Sequence, residues 1–374
     1  MTQDGDQGSV ELGLHGIRLS LQSDTPAFSS YVSEAMSPYL STEGVGPIHV
    51  HSRLQWCEGP RPTELTEAFP NAGWDYRPDR DIYVDGNSAY WLRVDDFLDL
   101  HLRVEWDGRV LSVLGRYYFQ LGKGSYLEQL RKLRYRGRMD KLRAHRFSTL
   151  LYYLVYHPVL WRLSRFEGLH VLHGGAVSGA TGAAVFAGMP GCGKSTLAVA
   201  MLADESFTML SDNLVLHDGH SLLACPELLL LDPASIKRAG SGARGLAATG
   251  ERRVFGRDAY RPSRTELGRV RPAAVFVVRR GRTSGLVACD PDLCCRHILA
   301  GNTMAKEVRR IAIMAEVLDL VAGTSAPEQA ADLRSLLAGV PCFELRVGPD
   351  DSLDGVVAEY VMPALSQGAV GLDG

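Results

Sequence analysis

The octapeptide Gly188-Met189-Pro190-Gly191-Cys192-Gly193-Lys194-Ser195 constrains this chain more than any other feature. It meets every fixed position of the pattern G-x-x-x-x-G-K-S/T. Its glycines let the backbone curl until several N–H groups point at one anion. Lys194 is placed to reach the terminal phosphates of a nucleotide, and the Ser195 hydroxyl is a ligand for Mg²⁺. The flanks fit: AAVFAG before the loop reads as a buried strand, and STLAVAML after it as a helix whose positive end adds to the anion site. Gly188, Pro190, Gly191, Cys192, Gly193, Lys194, Ser195 and Thr196 are therefore expected to wrap nucleotide phosphates.

The pattern of the chain around the loop is mixed α/β. Residues 1–124 read as a β-rich accessory domain, expected as an antiparallel sheet. Asp85-Gly86 within IYVDGNSAYWL and Asp107-Gly108 within LHLRVEWDGRVLSVLGRYYF are hairpin turns between apolar runs. Residues 125–166 take helical spacing and read as a linker. This segment carries eight Lys/Arg from Arg131 to Arg146 against one acid, Asp140. That run is a solvated face or a docking surface for an acidic partner or peptide, with nucleic acid a third reading. The apolar LLYYLVYHPV that follows reads as a buried helix. Residues 167–374 form the domain that holds the phosphate loop. In it, LVLHDGHSLLAC is a hairpin, AAVFVVRR and CFELRV are strands, and KEVRRIAIMAEVLDLVAG and LDGVVAEYVMPAL are helices. AGSGARGLAATG (Ala239–Gly250) has no apolar period and reads as a mobile loop.

Composition excludes several classes. With 374 residues and 45% hydrophobic residues, the chain is long enough to bury a core without disulfides. A net charge of −3 is not that of a general nucleic-acid binder. The N-terminal MTQDGDQGSVELGL has no basic and apolar signal segment, and no stretch is long enough to cross a bilayer. A cytoplasmic protein is expected, without membrane or nucleic-acid partners. Seven scattered cysteines read as reduced thiols. Cys289, Cys294, Cys295 and His297 lie close in sequence but lack a CxxC pair, and read as buried thiols on a helix rather than a zinc site.

Phosphoryl chemistry needs a carboxylate near the terminal phosphate, as a base or a metal ligand. Two strand ends offer one: Asp212 in MLSDN, and Asp232 after Leu228–Leu231 in the manner of a Walker B strand. No LSGGQ-like run and no NKxD run appears, which disfavours a transporter ATPase or a GTPase.

Over HGGAVSGATGAAVFAGMPGCGKSTLAVAML and MLSDN the chain resembles the HPr kinase/phosphorylase family and its related serine kinases. This P-loop group has a phosphoenolpyruvate-carboxykinase-like core. His173-Gly174 precedes Gly188 by fifteen residues, as in that family, and Asp212 falls on the first position of its acidic pair. The resemblance is firm over His173–Leu216, looser to Val347, and absent over residues 1–150. Two departures stand out. Asn213 occupies the second acidic position, and PELLLLDPASIKRAG stands where the family carries its Leu-Arg-Gly-Leu-Gly-type run. That places phosphorylase activity and hexameric assembly in doubt and points to the kinase-only relatives, some of which phosphorylate a serine of a peptide precursor in natural-product pathways.

The resemblance implies ATP and Mg²⁺ as cofactors and a serine of a protein or peptide as acceptor, and leaves room for a homo-oligomer. It makes Asp212 the general base, with His173 beside it and Lys194 on the phosphates. Ser195 would ligate the metal, and Asp232 would do so through water. Plainer roles stay open: Asp212 as a strand-end cap and His173 as a turn residue. Arg244, Arg252, Arg253, Arg257 and Arg261 are candidates for closing over the γ-phosphate. A small-molecule hydroxyl kinase and a regulatory ATPase that transfers nothing are the other readings.

Overall fold

The computed structural model describes residues 8–40, 46–59, 74–77, 81–92, 94, 99–119, 139–225, 227–254 and 256–369. The basic run before Met139 lies outside the described residues. The chain divides into two compact units, Met1–Glu167 with Arg310–Ala326, and Gly168–Arg309 with Pro327–Gly374. Both contain helices and sheets, so the class is mixed α/β.

The first unit holds an eight-stranded sheet. Its strands are β1 (Gly8–Leu14), β2 (Ile17–Ser23), β3 (Val50–Glu58), β4 (Asp75–Arg77), β5 (Ile82–Asp85), β6 (Ser88–Trp91), β7 (Leu100–Trp106) and β8 (Leu111–Phe119). Their order is β1-β2-β3-β8-β7-β6-β5-β4. Both Asp-Gly hairpins form as read, β5–β6 and β7–β8. At the second, Asp107 Oδ1 accepts the N–H groups of Arg109 and Val110 at 2.7 and 2.6 Å, which closes the turn.

The sheet is not antiparallel throughout, as the sequence suggested. β2 pairs β3 and β3 pairs β8 in parallel. A parallel pair needs a crossover, and the helix Pro26–Ala35 supplies it between β2 and β3. Alternation sends Leu19, Leu21, Val50 and Leu54 into the core. Over that core runs the helical stretch Met139–Leu151, Tyr152–Tyr156 and His157–Phe166, of which the middle piece is a π-turn. The Ser52 hydroxyl donates to the Leu154 carbonyl at 2.5 Å. Asp319 accepts from Trp161 Nε1 at 2.9 Å and from Arg165 Nε and NH2 at 2.8 Å each. These bonds tie the segment Arg310–Ala326 into the first unit.

The second unit is built on β9 (His170–Gly179), β10 (Gly182–Ala187), β11 (Thr208–Ser211), β12 (Leu214–His217), β13 (Leu222–Ala224), β17 (Pro272–Arg280), β18 (Gly285–Ala288) and β19 (Cys342–Val347). The order is β13-β12-β9-β10-β17-β19-β18, with β11 also on β9. β10, β17 and β19 run parallel. β10 and most of β17 are apolar without alternation, as strands covered on both faces must be. Phe186, Phe276 and Phe343 stack across these strands at 5.5 and 5.6 Å.

A separate three-stranded sheet contains β14 (Leu229–Leu231), β16 (Arg257–Pro262) and β15 (Leu246–Val254) in that order. The expected mobile loop Ala239–Gly250 is therefore ordered, as the 3₁₀ turn Gly240–Gly245 followed by the start of β15. The physical reason is packing. Ala239 is fully buried, and Gly242 lies so close to Val199 that no side chain fits between them. The small residues that look like linker composition are contact residues.

Candidate functional site

β10 ends at Ala187, and the chain turns through the glycine loop into the helix Lys194–Met201. This is the strand–loop–helix that the motif requires. Gly188 has φ +133°, and a β-carbon there would sit 2.7 Å from the Val278 carbonyl on the neighbouring strand. Gly191 and Gly193 share the left-handed region, at φ +78° and +107°. Lys194 is buried, and its ammonium donates to the Gly188 and Met189 carbonyls at 3.0 Å each. Burial holds its pKa below the usual lysine range.

Asp212 reaches the loop because of β9. That strand pairs β10 on one edge. On the other it pairs β11 through Ala176–Ser178 and β12 through His170–His173. The two-residue link Asp212-Asn213 thus crosses from one pairing to the next, with Asn213 at φ +68° and its carbonyl accepting the Gly174 N–H at 3.2 Å. Asp212 then faces Gly175, where a β-carbon would meet its Oδ1 at 3.2 Å and the Ala198 β-carbon at 3.4 Å. The missing side chain at Gly175 is what lets a carboxylate lie against the helix that follows the glycine loop.

The electrostatics of Asp212 are unusual. Burial raises its pKa, opposed by a hydrogen bond from the Ser195 hydroxyl, by the Asn213 N–H and by the charges of Lys194 and Arg257. Its Oδ1 is buried with no hydrogen-bond partner. His173, also buried, has a second such atom in Nε2. Its Nδ1 lies 2.9 Å from the Asn213 carbonyl, which can only accept, so the proton is on Nδ1 and Nε2 carries a lone pair. Burial and then the Lys194 charge lower the His173 pKa to about 4, so the ring is neutral at pH 7. Two unpaired acceptors beside a buried lysine and a serine hydroxyl suit a ligand that brings hydroxyl protons and a cation.

Asp232 sits at the end of β14, where the charge of Arg257 bears on it as it does on Asp212. β14 lies in the three-stranded sheet and does not flank β10. Asp232 caps the helix Pro233–Arg238, with Oδ1 accepting the Ser235 N–H at 2.6 Å, and that bond lowers its pKa. Among the arginine candidates, Arg257 acts on the Asp212 carboxylate through its charge, and Arg244 is exposed. The side chains of Arg252 and Arg253 lie outside the described residues. Cys192 is part-buried against the core of the second unit. Among the described residues no three His, Cys, Asp or Glu side chains group as metal ligands, and Cys294 and Cys295 are buried on the helix Pro291–Met304.

Three contributors escape sequence reasoning. Arg280, at the end of β17, donates from NH2 to the Gly191 carbonyl at 2.6 Å. Asn302 holds the β9 backbone, its Oδ1 accepting the His173 N–H at 2.8 Å and its Nδ2 donating to the Val171 carbonyl at 3.2 Å. Glu227 accepts from Asn213 Nδ2 at 2.7 Å, so a carboxylate does stand beside the position where the resemblance expects a second acid. Arg280 ends an apolar parallel strand, and the carboxyl ends of such strands are where these sheets bind ligands, but no spacing ties it to the glycine loop.

Neither a comparison with protein-family models nor one with curated proteins gives a match for this chain.

Proposed function

We propose that the chain is an ATP-dependent kinase that transfers the γ-phosphoryl group to a hydroxyl, with a serine of a protein or peptide as acceptor. The observation that carries this reading is Asp212. It is a buried carboxylate with an unpaired oxygen, on which the Ser195 hydroxyl and the Lys194 charge both act.

The residues fit MgATP. The loop from Gly188 to Thr196 would wrap the phosphates, and the Ser195 hydroxyl would hold the metal. When bound, Mg²⁺ neutralises charge on the phosphate oxygens. Lys194 would leave the Gly188 and Met189 carbonyls for the β- and γ-phosphates. Arg280 would leave Gly191 to stabilise charge on the transferring group. Asp212 would accept the proton of the attacking hydroxyl. Its raised pKa brings it nearer to the operating pH, which strengthens it as a base. Neutral His173, with Nε2 as acceptor, would orient that hydroxyl or its proton. Asp232 has its own helix to cap and takes no part in this scheme.

A regulatory ATPase is the second reading. Asn213 favours it, because that side chain is engaged with Glu227 and leaves one acid in the strand-end link. Incubation with γ-labelled ATP, Mg²⁺ and serine-containing peptides separates the two. Labelled peptide that is lost in Lys194→Ala and Asp212→Asn establishes the kinase. Free phosphate without labelled acceptor, with ATP-dependent partner binding, establishes the other.

A further inference from the structure

The first unit presents a polar sheet face that the phosphate chemistry does not use. Strand register aligns two rows across β2, β3, β8 and β7. One row is Ser20, His51, Ser112 and Glu105, and the next is Gln22, Arg53, Leu114 and Arg103. The twisted strands cup these residues into an open groove of about 390 Å³. Glu105 is the one acid of the two rows, and Arg103 pairs with it. Arg53 is exposed, in the middle of its row, and makes no hydrogen bond or ion pair among the described residues.

We propose that this face is a docking groove for an acidic peptide segment, with Arg53 pairing a carboxylate of that segment. The guanidinium fork matches a carboxylate with two parallel hydrogen bonds. Ser20, Ser112, Gln22 and His51 surround it with side chains able to bond a peptide backbone. With Glu105 already neutralised, the centre of the groove is cationic. The lining is too polar and too open for a compact apolar ligand, whose sites are enclosed and mostly hydrophobic. One unpaired cation among the described residues of the groove is too few to follow a nucleic-acid backbone. Binding of the segment stands independently of the kinase reading. Its identification with the phosphoryl acceptor rests on that reading.

The test uses the full chain and a short fluorescein-labelled peptide with glutamates on both sides of a serine, read by fluorescence anisotropy. A matched glutamine peptide and a labelled oligothymidine are the comparisons. The glutamate peptide should bind about two- to fivefold tighter than the glutamine one, as expected of one solvent-exposed ion pair. Arg53→Glu should remove that difference and Arg53→Lys should reduce it. Arg77→Glu, at an exposed arginine outside the groove, should leave it unchanged. Equal affinity for both peptides, full binding by Arg53→Glu, or preference for the oligothymidine would overturn the proposal. Arg53-dependent peptide binding by a chain that does not bind MgATP upholds the groove and sinks the kinase reading. ATP turnover by a chain indifferent to the glutamates does the reverse.

Discussion

At the scale of single residues, the site is defined by acceptors that lack donors. Asp212 illustrates what this costs. Its pKa is raised in the folded protein by burial, so the unfolded chain gives up this proton more readily. Stability from this group therefore falls as pH rises from the ordinary aspartate value through the folded one. Asp212→Asn removes the buried charge and should raise the melting temperature, by about 2–4 °C for each kcal/mol recovered. The same substitution should lower phosphoryl transfer by roughly 10²–10⁴, the usual contribution of a general base, with ATP affinity held within a few-fold. Transfer in the wild type should rise with pH through the Asp212 titration and then level. His173 adds no step above about pH 5, because its pKa is already near 4. Arg280→Ala should lower kcat by about 10²-fold with little change in ATP binding, measured by single-turnover transfer beside a direct ATP titration. The glycine loop was fully legible in sequence because backbone curvature dictates residue type there. Arg280 was not, since a lone arginine after an apolar strand has no fixed spacing to the loop it touches.

At the scale of elements, the helix Pro291–Met304 supports the site without supplying any reacting group. Asn302 bonds β9 at two points, and Gly301 lies against the loop, where a β-carbon would come within 3.0 Å of the Gly188 carbonyl. Glycine to alanine in a helix ordinarily stabilises by about 1 kcal/mol. Gly301→Ala should instead fail to stabilise and should weaken ATP binding, because the loop must shift to admit the methyl. Thermal melts and an ATP titration on one preparation check both parts. Asn302→Ala leaves the His173 N–H without its acceptor and should cost about 1–3 kcal/mol. Nothing in the amphipathic pattern of this helix pointed to Asn302, because a buried asparagine reads as an interruption of the apolar face. The hairpins were legible, since Asp-Gly turns are local. The parallel pairing of β2, β3 and β8 was not, because it depends on a crossover whose register no local residue encodes. The stretch Ala239–Gly250 misled for a related reason, its small residues marking close packing as easily as freedom.

At the scale of the whole molecule, acid sensitivity should come from histidines buried in the neutral form. Burial lowers the pKa of His157 to about 3 and of His173 and His217 to about 4, from an ordinary value of 6.5. Between those values the unfolded chain binds protons that the folded chain refuses, so stability rises with pH across the window. It is fully present above about pH 6.5 and is lost progressively toward pH 4, each ring giving up about 1.4 kcal/mol per pH unit. The carboxylates with lowered pKa values, Asp107, Asp204, Asp218, Asp232, Asp319 and Asp351, act at lower pH, below 3.8. A fall in melting temperature between pH 6.5 and 4.5 therefore belongs to the histidines. His157 lies in the first unit and the other two in the second, which makes the effect separable. Both ring nitrogens of His157 are buried without a hydrogen-bond partner, against the rings of Tyr152 and Tyr153. His157→Leu removes two unsatisfied polar atoms and keeps an apolar filling of similar size. It should raise the melting temperature at pH 5 more than at pH 7.5, and differential scanning calorimetry should show the gain in the first unit's transition alone. An equal gain at both pH values would mean that the polar atoms, not the refused proton, set the cost. A gain spread over both units would mean that they unfold as one.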